Sequence, residues 1–377
     1  MSIWFQHLQY LIGKAFADIP DFWKKVKVEY EHLENKRSFW SEVCVARLES
    51  DLVEVPKEVF IKIPHLTDNL DRSEKMDNSN IMETLRNHAK RESDFYKLLN
   101  NREIPNFPTP HIYHIEEIMG DGTGGMVAES LVGQVHAIDF LPGFNDEQVL
   151  RLMEALAGFH SFSKKMFTEN DCEWFSEGRV FKKDFQKDMY NEVTTLATHS
   201  SRFSISRFEN IAWSFDDDYK TKTIAKCIEK CPGIIVHGDL NVTNILWKNE
   251  NPNAIQAIID FQFVHHGSPA ADIIRVLTLG TSRKERKANT ERYLKHYYTT
   301  LERLSEHGNA PFSFENLKEQ YTMVFSVVSN FTLFGIALYY KMYSDGSLGK
   351  EEMKEENLEE LLDRAEGIVE DIEKCFI

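Results

Sequence analysis

The chain has 377 residues, of which 42% are hydrophobic, and a formal net charge of -16. This length and apolar content suffice for a full core in one large domain or in two linked domains. The acidic balance argues against sequence-independent binding to nucleic acid or to an anionic membrane, because both require a basic face.

Cysteine usage and the N-terminal residues together predict a cytoplasmic protein. The five cysteines are scattered, odd in number and form no C-x-x-C pair, which is typical of free thiols in a reducing compartment. The first residues, MSIWFQHLQYLIGKAF, lack a basic region followed by an uninterrupted apolar run. They predict an amphipathic helix and not a signal peptide.

Residues 38–63 predict three strands of a small antiparallel sheet. Within them, the alternating segment KEVFIKIP places Lys62 and Phe60 on one face of a strand and three apolar side chains on the other. A lysine on the inner face of a sheet requires an anionic partner. The alternative is an edge-strand lysine that discourages aggregation.

A helix is predicted next, over residues 81–100, and it carries a candidate partner for Lys62. Its apolar stripe includes Leu85 and Leu99, and Glu92 stands at a position that completes the stripe. A buried carboxylate requires a cation, and Lys62 is the predicted one. Alternatively, Glu92 lies at the solvated margin and pairs with Arg86 or Lys90 nearby.

The segment that follows predicts a change from sheet to helix. The proline-rich IPNFPTP, residues 104–110, indicates a linker, and two apolar runs flanking Gly120 to Gly125 predict a hairpin. Residues 129–131 then connect the two parts of the chain. Residues 145–163 combine an N-terminal cap with a 3.6-residue period and predict the first helix of a helical second part.

The stretch from 234 to 275 contains the strongest candidate for an active site. Short apolar runs predict strands that end at His237 and at Asp260, and Asp239 and Asn244 form a D-x-x-x-x-N pattern between them. In phosphoryl transfer, an Asp accepts a hydroxyl proton and an Asn at this spacing binds Mg²⁺, while a further Asp supplies a second metal ligand. Alternatively, Asp239, Asn241 and Asn244 are turn-forming residues.

These motifs resemble a known family. HGDLNVTNILW, IIDFQ and GSPAADIIRVL are similar to the aminoglycoside phosphotransferase and choline kinase branch of the protein-kinase-like fold, and most similar to the CHK kinase-like group that includes ecdysteroid kinase-like proteins. The resemblance covers the chain from about residue 35 onward. It implies a two-lobed α+β fold, with a small antiparallel-sheet N-lobe over residues 1–130 and a mainly helical C-lobe over residues 131–377.

The resemblance also implies a role for each candidate residue. Asp239 would be the catalytic base, Asn244 and Asp260 would bind Mg²⁺, and the Lys62–Glu92 pair would orient the phosphates of ATP. Asp272, with His237, would support the catalytic loop. Backbone groups at Glu129 and Leu131 would hold the adenine edge.

The predicted phosphate-covering loop departs from the family pattern. The family carries a Gly-x-Gly-Phe-x-Ser turn, whereas residues 36–41 read KRSFWS. Without glycine, close approach of backbone to phosphate is harder, so the hydroxyls of Ser38 and Ser41, with Lys36 or Arg37, are the predicted substitutes. The same loop favours a rival hypothesis, a catalytically silent binding protein that keeps the fold.

Two features favour a small-molecule acceptor over a protein substrate. The catalytic loop reads His-Gly-Asp and lacks the Arg that pairs with a phosphorylated activation loop, and only eleven residues separate Asp260 from Asp272.

The apolar run 323–342 has a membrane-spanning length but polar residues near its centre, so it predicts a buried helix. Its aromatic residues favour a lipophilic alcohol such as a steroid as acceptor; choline-like and aminoglycoside acceptors are the alternatives. These aromatics are Phe325, Phe331, Phe334, Tyr339 and Tyr340.

Overall fold

The computed structural model describes residues 3–33, 41–64, 78–118, 124–176, 185–231, 233–348 and 353–375. The chain divides into two units. The first comprises Met1–Glu103, Thr109–Val135 and Ile259–Phe263, and the second comprises Ile104–Pro108, His136–Ile258 and Val264–Ile377. The predicted border between residues 130 and 131 assigns two short segments, Ile104–Pro108 and Ile259–Phe263, to the wrong side of the division. Sequence order alone does not reveal that a short segment belongs to the other unit.

In the first unit, five strands among the described residues form an antiparallel sheet of order β1-β2-β3-β5-β4. Of the range 38–63, which is predicted to hold three strands, the structure describes residues 41–63, and these contain two strands because the SEVCVARLE run continues unbroken; a further strand of the sheet, β1, lies upstream. The elements are α1 (Ile3–Ala15), α2 (Phe22–Lys25), β1 (Lys27–His32), β2 (Ser41–Glu49), β3 (Glu58–Pro64), α3 (Asn78–Leu99), β4 (Ile112–Glu116) and β5 (Gly125–Glu129). The predicted hairpin is the β4–β5 pair.

Strand β3 separates the two faces of this sheet. Its residues alternate between buried and partly buried positions, because successive side chains of a strand point to opposite faces. Val59 and Ile61 join Leu8 and Leu11 of α1 in one apolar core. Lys62 lies on the other face of the strand, as its register predicts.

The second unit is mainly helical and contains two small sheets among its described residues, of order β6-β8-β9 and β10-β7. The predicted two-lobed kinase-like α+β fold is therefore present. The elements are β6 (Val135–Ala137), α4 (Asp146–Met166), α5 (Glu169–Trp174), α6 (Phe185–Thr194), α7 (Leu196–His199), α8 (Ile205–Ile211), α9 (Asp217–Lys230), β7 (Ile235–Val236), β8 (Ile245–Lys248), β9 (Ile255–Ile258), β10 (His265–His266), α10 (Pro269–Gly280), α11 (Arg283–Leu304), α12 (Phe314–Ser344) and α13 (Lys354–Cys375).

Local sequence explains where the central helices begin. Asn145 and Gln148 form a capping box that starts α4, in which each side chain satisfies a backbone N–H of the first turn. Helix α10 begins with a Ser268 cap and Pro269 in its first turn, where proline's missing N–H is harmless. All twelve residues of α10 are buried.

Helix α12 contains the apolar run predicted to be a buried helix. By length and composition, α12 is the one helix among the described residues that could cross a bilayer. However, 56% of its most apolar 18-residue segment is buried inside the protein. Asn330 donates to the Ser214 carbonyl oxygen at 2.7 Å and accepts from the Ser214 hydroxyl. The amide of Asn330, near the helix centre, is thus satisfied by a neighbouring element, as in the core helix of a globular domain.

An ion-pair network joins α11 to α13. Arg283 and Lys287 of α11 both contact Glu370 of α13, with the Lys287 Nζ 2.7 Å from the carboxylate. Hydrogen bonds from Lys287 and Arg283 lower the pKa of Glu370 to about 2, outweighing partial burial. Networks of this kind hold surface helices together more effectively than isolated pairs.

Replacing Glu370 with Gln is expected to weaken this contact. The folded pKa lies below the ordinary value of 4.5, so the contribution of Glu370 is complete above about pH 4.5 and lost as the pH falls toward 2. Solvent screening limits that contribution to about 1 kcal/mol. Thermal unfolding across this pH range should show a smaller acid-induced loss in Glu370→Gln than in the parent. The exposed Glu291 of α11 forms no ion pair with a described residue, and Glu291→Gln should match the parent; equal behaviour of both variants would contradict the assignment.

Candidate active site

Lys62 of β3 contacts two carboxylates within the first unit. Its Nζ donates to both oxygens of Glu92, at 3.0 and 2.8 Å, and to Asp260 Oδ1 at 2.7 Å. The predicted contact between the strand lysine and the helix glutamate is present. Lys90, an alternative partner for Glu92, instead lies 3.2 Å from Asp94.

Asp260 adopts an unusual backbone conformation that fits a functional position. Its φ is 73°, a left-handed value that costs a non-glycine residue about 1 kcal/mol or more and persists only where the surroundings enforce it. Lys62 holds Oδ1, and the Gln262 side-chain amide donates to Oδ2 at 3.1 Å. The following Phe261 stacks on Phe95 of α3 with ring centroids 4.1 Å apart. Packing of that ring therefore fixes the direction of the neighbouring carboxylate.

Burial and neighbouring charges act together on the pKa values of Lys62 and Glu92. Burial by itself lowers the pKa of Lys62, but the charges of Asp260 and Glu92 outweigh burial and raise that pKa above its ordinary value. The lysine is therefore charged at neutral pH. Burial raises the pKa of Glu92 above its ordinary value despite the charge of Lys62.

In the second unit, Asp239 and Asn244 lie within hydrogen-bonding distance of each other. The Asn244 amide nitrogen donates to the Asp239 backbone oxygen at 2.9 Å and lies 3.5 Å from Asp239 Oδ2. Asn241 accepts from the Thr243 N–H at 2.8 Å, so Asn241 has the turn-forming role that the alternative interpretation gave to the whole segment. Asn244 uses its nitrogen internally, and its side-chain oxygen accepts no hydrogen bond from a described residue.

Asp272 fixes the start of the catalytic loop. It is fully buried, and it accepts from the N–H groups of His237 and Gly238 at 2.8 and 2.9 Å. His160 Nε2 lies 3.2 Å from the same carboxylate. Burial by itself raises the pKa of Asp272, but the hydrogen bond from His160, nearby histidine charge and the Gly238 N–H lower it below its ordinary value. The supporting role that the sequence predicts for Asp272 and His237 thus has a geometric basis.

Replacing Asp272 with Asn is expected to destabilise the second unit by about 2 kcal/mol, because a charged acceptor of buried N–H groups is exchanged for a weaker neutral one. Because the pKa of Asp272 is lowered in the folded protein, its carboxylate contributes to stability near neutral pH, and the variant lacks this contribution. The parent loses it only as the pH falls below about 4. Thermal unfolding at pH 7 measures the difference. Asp217→Asn, at an exposed position in α9, is the control; equal midpoints for both variants would show that Asp272 does not fix the loop.

Arg275 is a site residue that sequence reasoning missed. Its Nη2 donates to Asp239 Oδ1 at 2.8 Å, and its guanidinium carbon lies 4.2 Å from the centroid of the Phe331 ring. The available signal was an arginine in the mostly apolar helix PAADIIRVLTLG, one helical turn after Asp272. A charge in such a run requires a buried partner.

The remaining predicted nucleotide-binding residues are less informative. Ser38 lies outside the described residues, together with Lys36 and Arg37, and Ser41 is a buried residue at the start of β2. Glu129 ends β5, where its N–H donates to the His111 oxygen at 2.8 Å. Leu131 follows, and its carbonyl oxygen accepts from Gln134 at 3.0 Å. The Leu131 N–H has no partner in the part of the chain that the structure describes.

The aromatic residues of α12 divide into two groups. Phe325 and Tyr340 are buried and belong to the core. Phe331, Phe334 and Tyr339 are only partly buried. Phe331 and Phe334 form a small aromatic surface with Phe185 of α6, with ring centroids 6.0 to 6.4 Å apart. This aromatic surface, Phe185 with Phe331 and Phe334, adjoins the Arg275 guanidinium and hence Asp239.

Comparison with known proteins identifies the family. A family model described as "Uncharacterized oxidoreductase dhs-27" matches residues 54–377. The chain is also 35% identical, over 381 aligned residues, to "Uncharacterized kinase-like protein D1044.1" of Caenorhabditis elegans, with 96% of this chain and 97% of that protein covered. The chain belongs to the CHK kinase-like family. The kinase-like relative aligns with this chain over almost the whole length of both proteins.

The oxidoreductase in the family description is a more distant relative. The C. elegans protein of that name is 25% identical over 228 residues, which are 56% of this chain but 26% of that protein. Gly120, Gly122 and Gly125 fit a G-x-G-x-x-G pattern, but a dinucleotide-binding fingerprint opens a helix, whereas Gly125 begins strand β5. The printed name therefore describes that protein, of which this CHK kinase-like chain matches about a quarter.

Solved structures share the fold of this CHK kinase-like chain. The GDP and kanamycin complex of APH(2″)-IIIa matches with a TM-score of 0.50 and 15% identity, covering 95% of this chain and 98% of that chain. The GDP complex of a mutant aminoglycoside 2′-phosphotransferase-IIIa matches with a TM-score of 0.51 and 15% identity, covering 95% and 96%. At this identity the likeness concerns the fold.

Proposed function

We propose that this chain is an ATP-dependent phosphotransferase that acts on the hydroxyl group of a small molecule. One observation carries the proposal: Lys62 bonds the helix residue Glu92 and the strained Asp260 together, at 2.8 and 2.7 Å. Phosphoryl transfer in kinases requires both a strand Lys paired with a helix Glu and an Asp that binds Mg²⁺. Membership of a kinase-like family supports the same function.

In the proposed reaction, Asp239 is the general base. It accepts the proton of the acceptor hydroxyl as the acceptor oxygen bonds to the γ-phosphorus of ATP; the bond from that phosphorus to the β,γ-bridging oxygen breaks and ADP leaves. The carboxylate is well oriented for this role. Arg275 holds Oδ1 at 2.8 Å, and Asn241 donates to Oδ2 at 3.2 Å. Positioning of this kind is the main requirement of a loose phosphoryl-transfer transition state.

Asn244 and Asp260 would hold Mg²⁺. Both offer side-chain oxygens, which this hard cation prefers, and nucleotide phosphates and water supply the other ligands. Among the described residues no group of three or more His, Cys, Asp or Glu side chains could hold a metal ion. When bound, Mg²⁺ neutralises charge on the transferring phosphoryl group.

ATP is the proposed phosphate donor. The positive charge of Lys62 suits nucleotide phosphates, and the unpartnered N–H of Leu131 suits a ring-nitrogen acceptor of adenine. The GDP complexes of the two structural neighbours support nucleotide binding by this fold. The rival hypothesis is a silent binding protein that lacks a functional phosphate-covering loop.

A neutral, lipophilic alcohol such as a hydroxylated steroid is the proposed acceptor. The aromatic surface of Phe185, Phe331 and Phe334 favours apolar ligands held by a few polar groups. A quaternary ammonium acceptor would instead require an aromatic face for its charge, and the Arg275 guanidinium already lies 4.2 Å from the Phe331 ring centroid. Repulsion between two cations therefore disfavours choline at this ring.

An acceptor screen tests this assignment. Protein with Mg²⁺ and γ-labelled ATP is incubated separately with a hydroxylated steroid, choline, ethanolamine and kanamycin, and label in each acceptor is measured. We expect transfer to the steroid. Transfer only to choline, ethanolamine or kanamycin would overturn the lipophilic acceptor and leave the kinase assignment standing. Absence of transfer to any acceptor, with no binding of Mg²⁺·ATP, would overturn the kinase assignment itself.

A further inference from the structure

Arg275 connects the proposed base to the aromatic surface. Its Nη2 donates to Asp239 Oδ1 at 2.8 Å, and its Nη1 reaches Thr332 Oγ1 at 3.3 Å. The side chains of Arg275 and Asp239 are 7% and 9% exposed. The ion pair is therefore almost dry, and a change in the position of one partner is transmitted to the other with little screening by water.

The guanidinium is held by few polar contacts. The Nε of Arg275 is buried without a hydrogen-bond partner among the described residues, although an arginine in a strong carboxylate pair normally donates from two nitrogens. The 3.3 Å contact with Thr332 is near the long limit for a hydrogen bond. The Phe331 ring, 4.2 Å from the guanidinium carbon, is therefore a principal constraint on the guanidinium plane, through cation–π attraction and packing.

We propose that Arg275 is a positioning residue, which the Phe331 ring holds in place so that the Asp239 carboxylate faces the acceptor hydroxyl. Arg275 occupies Oδ1, so the acceptor proton goes to Oδ2, where the other contacts are longer: Asn241 donates at 3.2 Å and the Asn244 amide nitrogen lies 3.5 Å away. An acceptor that packs against Phe331 would press the ring onto the guanidinium and so tighten the position of the base. Asp239, Arg275 and Phe331 form a relay, and the relay links acceptor shape to turnover.

This inference rests on the proposed function and makes a prediction for water as the acceptor. Water is too small to depend on the aromatic surface for its binding. Phe331 therefore affects slow ATP hydrolysis mainly through Arg275. Since a misplacement of about 1 Å at a reacting group lowers rates by about 10²-fold, the effect should be measurable without an organic acceptor.

The test uses Mg²⁺·ATP with water as acceptor and compares the parent with Arg275→Met, Arg275→Lys and Phe331→Leu. We expect kcat for ADP release to fall about 10-fold or more in Arg275→Met and several-fold in Phe331→Leu, while KM for ATP and the thermal shift with Mg²⁺·ATP stay unchanged. Arg275→Lys should recover part of kcat, because a lysine donates to Asp239 but lacks the planar group that packs on the ring. Adding Phe331→Leu to Arg275→Met should cause no further loss.

Phe325→Leu is the matched control on the same helix. The Phe325 ring lies 5.4 Å from the guanidinium carbon of Arg286, and Arg286 pairs with Asp371 of α13 at 2.7 Å, so this variant removes a similar cation–π contact that does not involve Asp239. Its kcat per folded molecule should equal that of the parent.

The possible outcomes separate the relay from the proposed function. Full kcat in both Arg275→Lys and Phe331→Leu, or losses that add in the double variant, would overturn the relay while leaving the kinase assignment intact. If Arg275→Met fails to fold, the comparison of Arg275→Lys, Phe331→Leu and their double variant decides in the same way. A parent protein that neither binds nor hydrolyses Mg²⁺·ATP would overturn the proposed function, and the relay with it.

Discussion

Asp239→Asn is expected to reduce phosphoryl transfer by about 10²-fold or more while leaving the affinity for Mg²⁺·ATP nearly unchanged. The amide keeps the shape of the carboxylate but does not accept the acceptor proton, and a positioned general base contributes about 10²- to 10⁴-fold. The change also removes the anion that pairs with Arg275 at 2.8 Å. The measurement is ADP release at saturating ATP, with nucleotide binding followed separately by thermal shift.

A second variant separates loss of the base from loss of the ion pair. Arg275→Lys keeps a cation beside Asp239, so it should retain more activity than Asp239→Asn. Turnover of Asp239→Asn at the parent rate would remove Asp239 from the mechanism. Loss of nucleotide binding in Asp239→Asn, with no further loss of turnover per bound nucleotide, would place Asp239 in the nucleotide site instead.

Lys62→Met is expected to abolish detectable use of ATP and to destabilise the first unit. It removes the cation that contacts Glu92 and Asp260, at 2.8 and 2.7 Å, and leaves two partly or fully buried carboxylates without that positively charged partner. Removing one member of a buried pair typically costs about 3–5 kcal/mol. Thermal unfolding and Mg²⁺·ATP binding report the two effects independently.

Adding Glu92→Leu to Lys62→Met distinguishes a functional lysine from a structural one. The apolar pair removes one uncompensated buried charge, so stability should return in part. Nucleotide use should not return, and the double variant should be no less active than Lys62→Met alone, because the two residues act as a unit. Recovery of ATP use together with stability would show that Lys62 serves the fold only.

Strong local patterns explain which parts of the fold were predictable. The alternation in KEVFIKIP determined the strand face on which Lys62 lies, and the apolar stripe of α3 determined the helix face on which Glu92 lies. Their contact at 2.8 Å therefore followed from the strand period and the helix period. The supporting role of Asp272 followed from a family motif. The β4–β5 hairpin followed from apolar runs separated by glycines.

Long-range features were less predictable. The exchange of residues 259–263 into the first unit depends on the packing of Phe261 on Phe95 and Tyr96, which no local period encodes. The pairing of Arg275 with Asp239 spans 36 positions, and only the presence of a charge in an apolar helix indicated that a partner exists. The aromatic residues of α12 all looked alike in sequence, and their division into core and surface depends on which neighbours cover each ring.

Binding of ATP by the purified protein tests the central claim most directly. Thermal unfolding is measured with ATP alone, with Mg²⁺ alone and with both, for the parent and for Asp260→Asn. Because a ligand that binds the native state alone raises apparent stability, we predict a clear upward shift in the parent with Mg²⁺ and ATP together, accompanied by slow ADP release, and a much smaller shift in Asp260→Asn. Two results would contradict a kinase site built on Lys62, Glu92 and Asp260. One is no shift in the parent, and the other is a shift in Asp260→Asn that equals the parent's both with and without Mg²⁺.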